Sequence, residues 1–159
     1  MIDIAAGHAL LAHVMLLLDD SSPSAVAVDT AFAASASKIH EALVRAWPRL
    51  EGRVQFVTGE PEDVPVESGD VVVSCHACGA LTDRVIDRAV QAQARLAVLP
   101  CCHDIDAADA GDLTGWVDAT LAIDVVRAVR LGARHYRVRT QRISPAITPK
   151  NRLLLGEPL

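Results

Sequence analysis

Two apolar runs of the sequence each end abruptly in cysteine and histidine. The run Val71–Val73 leads into Cys75–Cys78, and the run Leu96–Leu99 leads into Cys101–His103. A short aliphatic run predicts a buried strand, and the polar residues that follow it lie at the strand's carboxyl end. All four cysteines and two of the six histidines fall within these segments. We therefore expect two neighbouring parallel strands that direct thiols and imidazoles toward one crevice at the sheet edge.

The composition narrows the class of protein. A chain of 159 residues fits a single domain, residues 1–159, with a core of its own. Apolar residues make up 51% but aromatic residues only 3%, so the core must be aliphatic, as in parallel α/β folds. No apolar run approaches the roughly 20 residues needed to cross a bilayer, and the first residues lack the pattern of a signal peptide. We expect a cytoplasmic protein with no membrane partner and with reduced cysteines.

Alternating strand and helix patterns predict an α/β sheet. Predicted strands start at residue 2 and then cover 25–29, 53–58, 70–74 and 95–99, with helices over 8–19, 31–47 and 82–92. A fourth helix is predicted from an N-cap at Thr114 to a C-cap at Gly132, and two last strands, 134–143 and 152–155, pair antiparallel. The stripe expected to face the core on the fourth helix is Val117, Leu121, Val125 and Val129. The predicted fold is therefore a Rossmann-like parallel sheet with a terminal antiparallel hairpin and helices on both faces.

Small residues in the first strand-to-helix turn indicate a nucleotide site. Ala5, Gly7 and Ala9 have the spacing of a nucleotide-binding loop, in which free backbone N–H groups at a helix start attract anions. Asp29 follows about 20 residues later, where a βαβ unit places a carboxylate against ribose hydroxyls. Glu60 comes first after the third strand, in reach of a ligand's base edge. Packing explains the small residues equally well, and capping of the next helix explains Asp29.

These features together resemble the class I S-adenosylmethionine (SAM)-dependent methyltransferases. Residues 70–83 with Pro100-Cys-Cys-His103 are similar to a subgroup with H-x-C-G-x-x-T-D and C-C-H/Y signatures. This subgroup includes the tRNA acceptor-stem 2′-O-methyltransferases and the methyltransferase-like domain of a glutathione-transferase-related protein. The resemblance covers essentially the whole chain, and it implies SAM as the cofactor. Members usually carry a segment upstream of the first strand, where this sequence begins, and the tRNA enzymes also carry a zinc-finger portion.

The resemblance also implies roles for individual residues. Asp3 and the small-residue turn match the first SAM motif, Asp29 matches the ribose-binding acid, and Glu60 matches the acidic position near adenine. His76, Cys78, Gly79, Thr82 and Asp83 match the fourth motif, and Cys101, Cys102 and His103 match the fifth. The implied cofactor-binding set is Asp3, Ala5, Gly7, Ala9, Asp29, Glu60, Cys75 and His76.

Methyl transfer from a sulfonium is an in-line displacement, so the protein mainly aligns the acceptor with the methyl group. A base is needed if the acceptor is a hydroxyl or a protonated nitrogen. His76 and His103 are the candidates, since imidazole titrates near neutral pH, and Asp83 is positioned in sequence to orient one of them. The predicted catalytic set is His76, Asp83 and His103. Buried structural histidines and helix capping by Asp83 are the plainer explanations.

Two other functions use the same residues, and a third does not depend on them. Cys75-His-Ala-Cys78 has the C-x-x-C spacing of a thiol-redox pair. A zinc or iron–sulfur site is chemically sensible from Cys75, Cys78, Cys101, Cys102 and His103, although the preferred site has no metal ligand. A third alternative is a non-catalytic module with the SAM-binding fold.

Charge is unevenly distributed along the chain. Residues 1–120 hold 7 Lys and Arg against 18 Asp and Glu, whereas residues 121–159 hold 8 against 2. A basic segment of this kind is typical of contact with nucleic acid, but also of solvated helix and strand faces. The sequence leaves RNA, a protein and a small molecule open as the methyl acceptor; RNA is preferred on these residues and on the resemblance, and the oligomeric state is left open. The basic residues that would contact RNA are Arg137, Arg139, Arg142, Lys150 and Arg152.

Overall fold

The chain forms one seven-stranded sheet with four α-helices, and the computed structural model describes all 159 residues. The strands are β1 (Ile2–Ile4), β2 (Ala25–Asp29), β3 (Val54–Thr58), β4 (Val71–Ser74), β5 (Arg95–Val98), β6 (Tyr136–Arg142) and β7 (Arg152–Pro158). The helices are α1 (Leu10–Leu18), α2 (Ser35–Ala46), α3 (Ala80–Gln91) and α4 (Ala119–Ala133). Strands lie within two residues of their predicted bounds, except that β7 continues to Pro158. None of the helices is both long and apolar enough to span a bilayer.

The strand order places the first and fourth strands side by side at the centre of the sheet. The order is β3-β2-β1-β4-β5-β7-β6, with β1 to β5 parallel and β7 antiparallel to both of its neighbours. Both the parallel sheet and the terminal antiparallel hairpin are as predicted. Chain connections run one way from β1 and the other way from β4, so a topological switch point lies between them, where ligands of open α/β sheets bind.

Alternation along the strands divides the interior into two aliphatic cores. On one face, Ile2 and Ile4 of β1 pack with residues of α3 and α4 such as Val85 and Leu131. On the other face, Ala27 of β2 packs with residues of α1 and α2. Helices on both faces are therefore confirmed. The face of α1 that is buried against the sheet carries Ala12, His13 and Leu16.

The N-terminus of α4 differs from the prediction. Thr114 lies in a short 3-10 turn, Leu113–Gly115, and the N-cap of α4 is Asp118, whose carboxylate accepts the Leu121 N–H at 2.9 Å. The helix also runs one residue past Gly132 to Ala133. The predicted cap was wrong because a threonine and an aspartate both suit an N-cap, and only the packing of the segment selects between them.

The face of α4 that packs on the sheet was also predicted wrongly. The predicted stripe includes Val125 and Val129, which are 37% and 66% exposed. The buried face instead carries Ile123, Arg127 and Leu131. An arginine is found in this position because its guanidinium is surrounded by acceptors, described below, and a fully paired cation can be buried where an unpaired one cannot.

The terminal hairpin packs against α4 through a glycine. A Cβ atom built on Gly156 of β7 would lie 2.8 Å from Cδ2 of Leu131, 3.0 Å from Cδ1 of Tyr136 and 3.2 Å from Cγ of Leu96. The Tyr136 hydroxyl donates to the carbonyl oxygens of Ala89 and Ala94 at 3.1 and 2.9 Å. The hairpin is thereby attached to α3, α4 and β5 at once.

We expect Gly156→Ala to destabilise the fold by about 1–3 kcal/mol, because the added methyl group overpacks a closed contact. The matched control is Gly69→Ala, at a position where a Cβ meets no atom within 4 Å, and its effect should stay within about 0.5 kcal/mol. Urea unfolding followed by circular dichroism measures both. Equal stability of the two variants would contradict the packing described for β7.

Candidate active site

The turn after β1 adopts a left-handed backbone at alternate residues. Ala5, Gly7 and Ala9 have φ of 57°, 57° and 58°. These are the three positions that match glycines in nucleotide-binding loops, so the backbone conformation persists where alanine replaces glycine. An L-residue in this region costs about 1–2 kcal/mol. The turn is closed by its own hydrogen bonds: the Ala6 N–H donates to the Val28 carbonyl at 3.1 Å, and the Ala9 N–H donates to the Ala6 carbonyl at 2.8 Å.

Asp29, at the end of β2, holds this turn in place. Its Oδ2 accepts the Gly7 N–H at 2.8 Å, and its Oδ1 accepts the Ala31 N–H at 3.3 Å. Asp29 does not cap α2, whose N-cap is Ala34. The carboxylate thus joins the ends of β1 and β2, as expected of an acid that faces a ligand across the first turn.

Asp3 is a buried carboxyl directly beneath the turn. Its side chain is 1% exposed, and Oδ2 accepts the Ala12 N–H at 3.2 Å. Burial raises the pKa of Asp3 to about 7, because the charged form loses its hydration; the Ala12 hydrogen bond lowers this pKa and the charge of Asp29 adds to its rise. A cation bound nearby would favour the ionised form. Asp3 is therefore suited to stabilise positive charge on a ligand.

A cleft of about 550 Å³ opens at the switch point between β1 and β4. Its walls bring together the two sequence segments that predicted the site: Asp3, Ala5 and Gly7 on one side, and Cys75 and His76 on the other. The remaining wall is largely apolar and comes from α1 and α2: Leu10, Leu11, Val14 and Ile39. This volume and lining are typical of a small-molecule site.

The two β4 residues in the cleft differ in environment. Burial raises the pKa of the Cys75 thiol, with further rises from the charges of Asp3 and Cys101, so this cysteine is protonated at neutral pH. His76 is exposed, and its imidazole has no hydrogen-bond partner in the protein. An exposed imidazole at the rim of a cleft is accessible to a bound ligand.

Glu60 lies at the carboxyl end of β3, where an acid near adenine was expected, but its carboxylate is already paired. Oε2 accepts from Arg84 Nη2 at 3.0 Å, and Arg84 also contacts Glu62. The Glu60 backbone N–H donates to Asp63 Oδ2 at 2.8 Å. Sequence patterns did not indicate Arg84 as a partner, because α3 and the β3 loop meet only in the folded chain.

Asp83 does not orient a histidine, so that part of the catalytic prediction is wrong. Its carboxylate accepts two hydrogen bonds from Arg127, from Nε at 2.9 Å and from Nη2 at 2.8 Å. Arg127, 4% exposed, also donates to the Gly79 carbonyl at 3.1 Å and lies 3.4 Å from Asp124. Asp83 thus fixes α4 to the first turn of α3, and the Gly79 carbonyl fixes α4 to the loop after β4.

His103 is oriented by a carboxylate that the sequence analysis missed. Its Nε2 lies 2.7 Å from Asp124 Oδ1, and its side chain is 3% exposed. Asp124 Oδ2 also accepts from Arg152 Nε at 2.6 Å. The spacing of Asp124 and Arg127, three residues apart among aliphatic neighbours in a helix, was a signal that this helix face carries a polar cluster. His103 is buried, whereas His76 faces the cleft.

Three of the four cysteines converge beside the cleft. The Sγ atoms of Cys78, Cys101 and Cys102 all lie within 4.8 Å of one another, and Cys78 and Cys101 are 3.0 Å apart. Hydrogen bonding with Cys101 raises the pKa of Cys78 to about 12, whereas hydrogen bonds from Cys78 and Cys101, together with the positive charge of Lys150, lower that of Cys102. Cys78 contacts Cys101, whereas Cys75, the other member of the C-x-x-C alternative, lines the cleft.

The five basic residues of the C-terminal quarter differ in whether they form ion pairs. Arg137 pairs with Glu157 at 3.3 Å and Arg152 pairs with Asp124. Arg139, Arg142 and Lys150 are exposed and make no ion pair. Only these three present uncompensated charge to a partner.

Residues 1–106 match a protein family described as "Methyltransferase domain". The chain belongs to this family. S-adenosylmethionine is the methyl donor of the family, and the fold is that of class I SAM-dependent methyltransferases, as predicted. No curated protein matches the sequence of this methyltransferase domain.

Solved structures with this fold include enzymes with chemically different acceptors. The B. subtilis M1A22 tRNA methyltransferase TrmK is 16% identical, with a TM-score of 0.62 over 100% of this chain and 59% of that chain. M. capricolum TrmK with S-adenosyl-homocysteine is 14% identical, with a TM-score of 0.57 over 98% and 59%. The O-methyltransferase NcsB1 with SAM and a naphthoic acid is 20% identical, with a TM-score of 0.59 over 99% and 48%. This methyltransferase domain therefore spans about half to three-fifths of the length of these proteins.

We expect Ala5→Gly to stabilise the domain by about 1 kcal/mol, because glycine adopts positive φ without steric cost. Ala6→Gly is the control: Ala6 lies in the same turn without a positive φ, and there glycine only adds conformational freedom to the unfolded chain, so stability should fall. Thermal and urea unfolding measure both. A loss of stability in Ala5→Gly would show that the turn is not left-handed in solution.

Proposed function

We propose that this domain binds SAM in the cleft at the switch point and transfers its methyl group to an acceptor held over the end of β4. The observation that carries the proposal is the left-handed turn of Ala5–Ala9, locked to Asp29 and facing Cys75 and His76 across the cleft. The turn and Asp29 lie together at the carboxyl ends of β1 and β2, where a βαβ unit holds the ribose of a nucleotide ligand.

Each part of the cofactor has a matching group. The amino-acid portion would lie against the backbone of Ala5–Ala9, and the ribose hydroxyls would donate to Asp29. The sulfonium and ammonium charges would lie in the field of Asp3, whose ionised form they stabilise. Glu60 would lie near the adenine edge, with its carboxylate held by Arg84 and by the Asp63 backbone N–H. The apolar side chains of α1 would cover one side of the methyl group.

Catalysis by this site would depend mainly on alignment. The acceptor atom attacks the methyl carbon in line with the bond to sulfur, which breaks and leaves S-adenosylhomocysteine. If the acceptor carries a proton, the exposed imidazole of His76 takes it at the rim of the cleft. His103, held by Asp124, would act as a positioning residue for the Cys101–Cys102 segment. Asp83 would position the loop after β4, because it holds Arg127 and Arg127 holds the Gly79 carbonyl.

We expect Asp29→Ala to weaken SAM binding at least tenfold, since hydrogen bonds from ribose to a charged carboxylate contribute about 1.5–3 kcal/mol. Asp20→Ala is the matched control: Asp20 is exposed and pairs with Arg49 after the C-terminus of α1, so its loss should leave the affinity unchanged. Calorimetric titration with SAM and with S-adenosylhomocysteine gives the dissociation constants. Failure of the wild-type chain to bind either compound would refute the proposal.

RNA is the acceptor that we propose, in keeping with the resemblance to the acceptor-stem 2′-O-methyltransferase subgroup. The specific support is that Arg139, Arg142 and Lys150 are uncompensated cations on the hairpin and its loop, and that Lys150 is close enough to Cys102 to influence its thiol. Lys150 thus lies near the loop after β5, and Arg139 and Arg142 lie on β6, the edge strand on the same side of the sheet. A tRNA methyltransferase is also among the structural neighbours.

The double variant Arg139→Gln/Arg142→Gln should bind RNA more weakly, and the slope of log affinity against log salt concentration should become shallower by about 1.8, because two contacts to the phosphates of a duplex are lost. Lys38→Gln/Arg45→Gln removes two exposed, unpaired cations of α2 and serves as the control with an unchanged slope. Fluorescence anisotropy of a labelled tRNA acceptor-stem RNA over a salt series gives both slopes. Equal slopes in the two double variants, together with methyl transfer to a non-RNA acceptor, would exclude RNA.

A further inference from the structure

Three cysteines from two separate loops share one small volume, and the methyl-transfer site does not use them. Cys78 lies in the loop between β4 and α3, whereas Cys101 and Cys102 follow β5. Their Sγ atoms lie within 4.8 Å of one another, and no imidazole nitrogen or carboxylate oxygen joins the group at that distance. The fourth cysteine, Cys75, lines the cofactor cleft instead.

The spacing of the sulfurs is close to that of a thiolate metal site. Tetrahedral zinc with Zn–S bonds of about 2.3 Å places its sulfurs about 3.8 Å apart. The present separations, from 3.0 Å to at most 4.8 Å, reach that value through side-chain movements of less than about 1 Å. A disulfide would need one pair at about 2.05 Å and would leave the third thiol without a role. Three soft thiolates select a thiophilic ion over magnesium or calcium.

The two loops are held in position by contacts outside the cluster. Strands β4 and β5 pair up to Ser74 and Val98, and beyond that pairing the Gly79 N–H donates to the Cys102 carbonyl at 2.9 Å. Arg127 in turn holds the Gly79 carbonyl. The backbone around the sulfurs is therefore set before any ion binds, which lowers the conformational cost of binding.

The charge balance around the three thiols and their exposure to solvent also favour binding of a metal cation. A divalent ion with three thiolates carries one net negative charge, and the ammonium of Lys150 lies close enough to act on Cys102. Cys78 and Cys102 are exposed and Cys101 is half-buried, so an ion can enter from solvent. With three protein ligands, the fourth position stays open to water, as in zinc sites that exchange ligands.

We propose that Cys78, Cys101 and Cys102 bind one zinc ion through three thiolates, with the fourth position open to solvent. The ion joins the loop after β4 to the loop after β5 and so rigidifies the rim on which His76 stands. Of the five ligands that the sequence analysis considered, Cys75 and His103 are excluded, because one lines the cleft and the other is paired with Asp124. The proposal is independent of the methyl acceptor and of SAM binding.

Reconstitution of the reduced, full chain with Co²⁺ and with Zn²⁺ tests the site. We expect one Co²⁺ per chain with a thiolate-to-metal charge-transfer band in the near ultraviolet, and displacement of that band by Zn²⁺. Cys102→Ser and Cys78→Ser, one from each loop, should each weaken Co²⁺ binding at least tenfold, whereas Cys75→Ser should keep both stoichiometry and spectrum. Zn²⁺ should raise Tm by several degrees in the wild type and in Cys75→Ser but not in the other two variants.

Circular dichroism of each metal-free variant distinguishes loss of a ligand from loss of the fold. Because one variant comes from each loop, the test still stands if one of the two variants fails to fold. Absence of bound Co²⁺ in the wild type would overturn the proposal, as would a spectrum that Cys75→Ser abolishes and Cys102→Ser retains. Fewer than four titratable thiols in the unreduced protein, with a mass two hydrogens lower, would show a disulfide instead of a metal site.

Discussion

A buried guanidinium joins the elements around the proposed site. Arg127 of α4 contacts Asp83, Asp124 and the Gly79 carbonyl. Asp124 in turn pairs with the imidazole of His103. A buried cation is tolerated only when acceptors surround it, and removal of one partner from such a group costs about 3–5 kcal/mol. The loops after β4 and β5 are therefore fixed relative to α4 by a requirement of electrostatics, and the positions of His76 and the three clustered cysteines follow from it.

The turn after β1 forms the opposite wall of the cleft, and a hydrogen bond to a carboxylate holds it in a strained conformation. Two alanines adopt a backbone conformation that favours glycine, and the carboxylate of Asp29 holds the turn by its Gly7 N–H. Beneath the turn, Asp3 is buried at a cost that shows in its raised pKa. Strain and desolvation of this kind concentrate at binding sites, where a ligand can relieve them. A cationic cofactor would offset the desolvation of the Asp3 carboxylate.

Much of this architecture could be predicted from local patterns. Short aliphatic runs located the strands, and the spacing of Ala5, Gly7, Ala9 and Asp29 predicted a turn that proved left-handed at each of the three positions. The predictions that failed concerned pairs of side chains on different elements. Asp83 pairs with Arg127 rather than a histidine, Asp124 is the partner of His103, and α4 buries its arginine face instead of its valines. Each of these depends on which acceptors approach a charge from elsewhere in the fold.

The sequence by itself determined the order of strands and helices, the small-residue turn and the placement of cysteines and histidines after two strands, because periodicity and backbone preference act over a few neighbouring residues. Only the tertiary structure decided that Cys78 faces Cys101 and Cys102 while Cys75 enters the cleft, that His76 is exposed while His103 is buried, and which cations remain unpaired. These outcomes depend on distances between loops far apart in the chain, and such distances are set by the packing of whole elements.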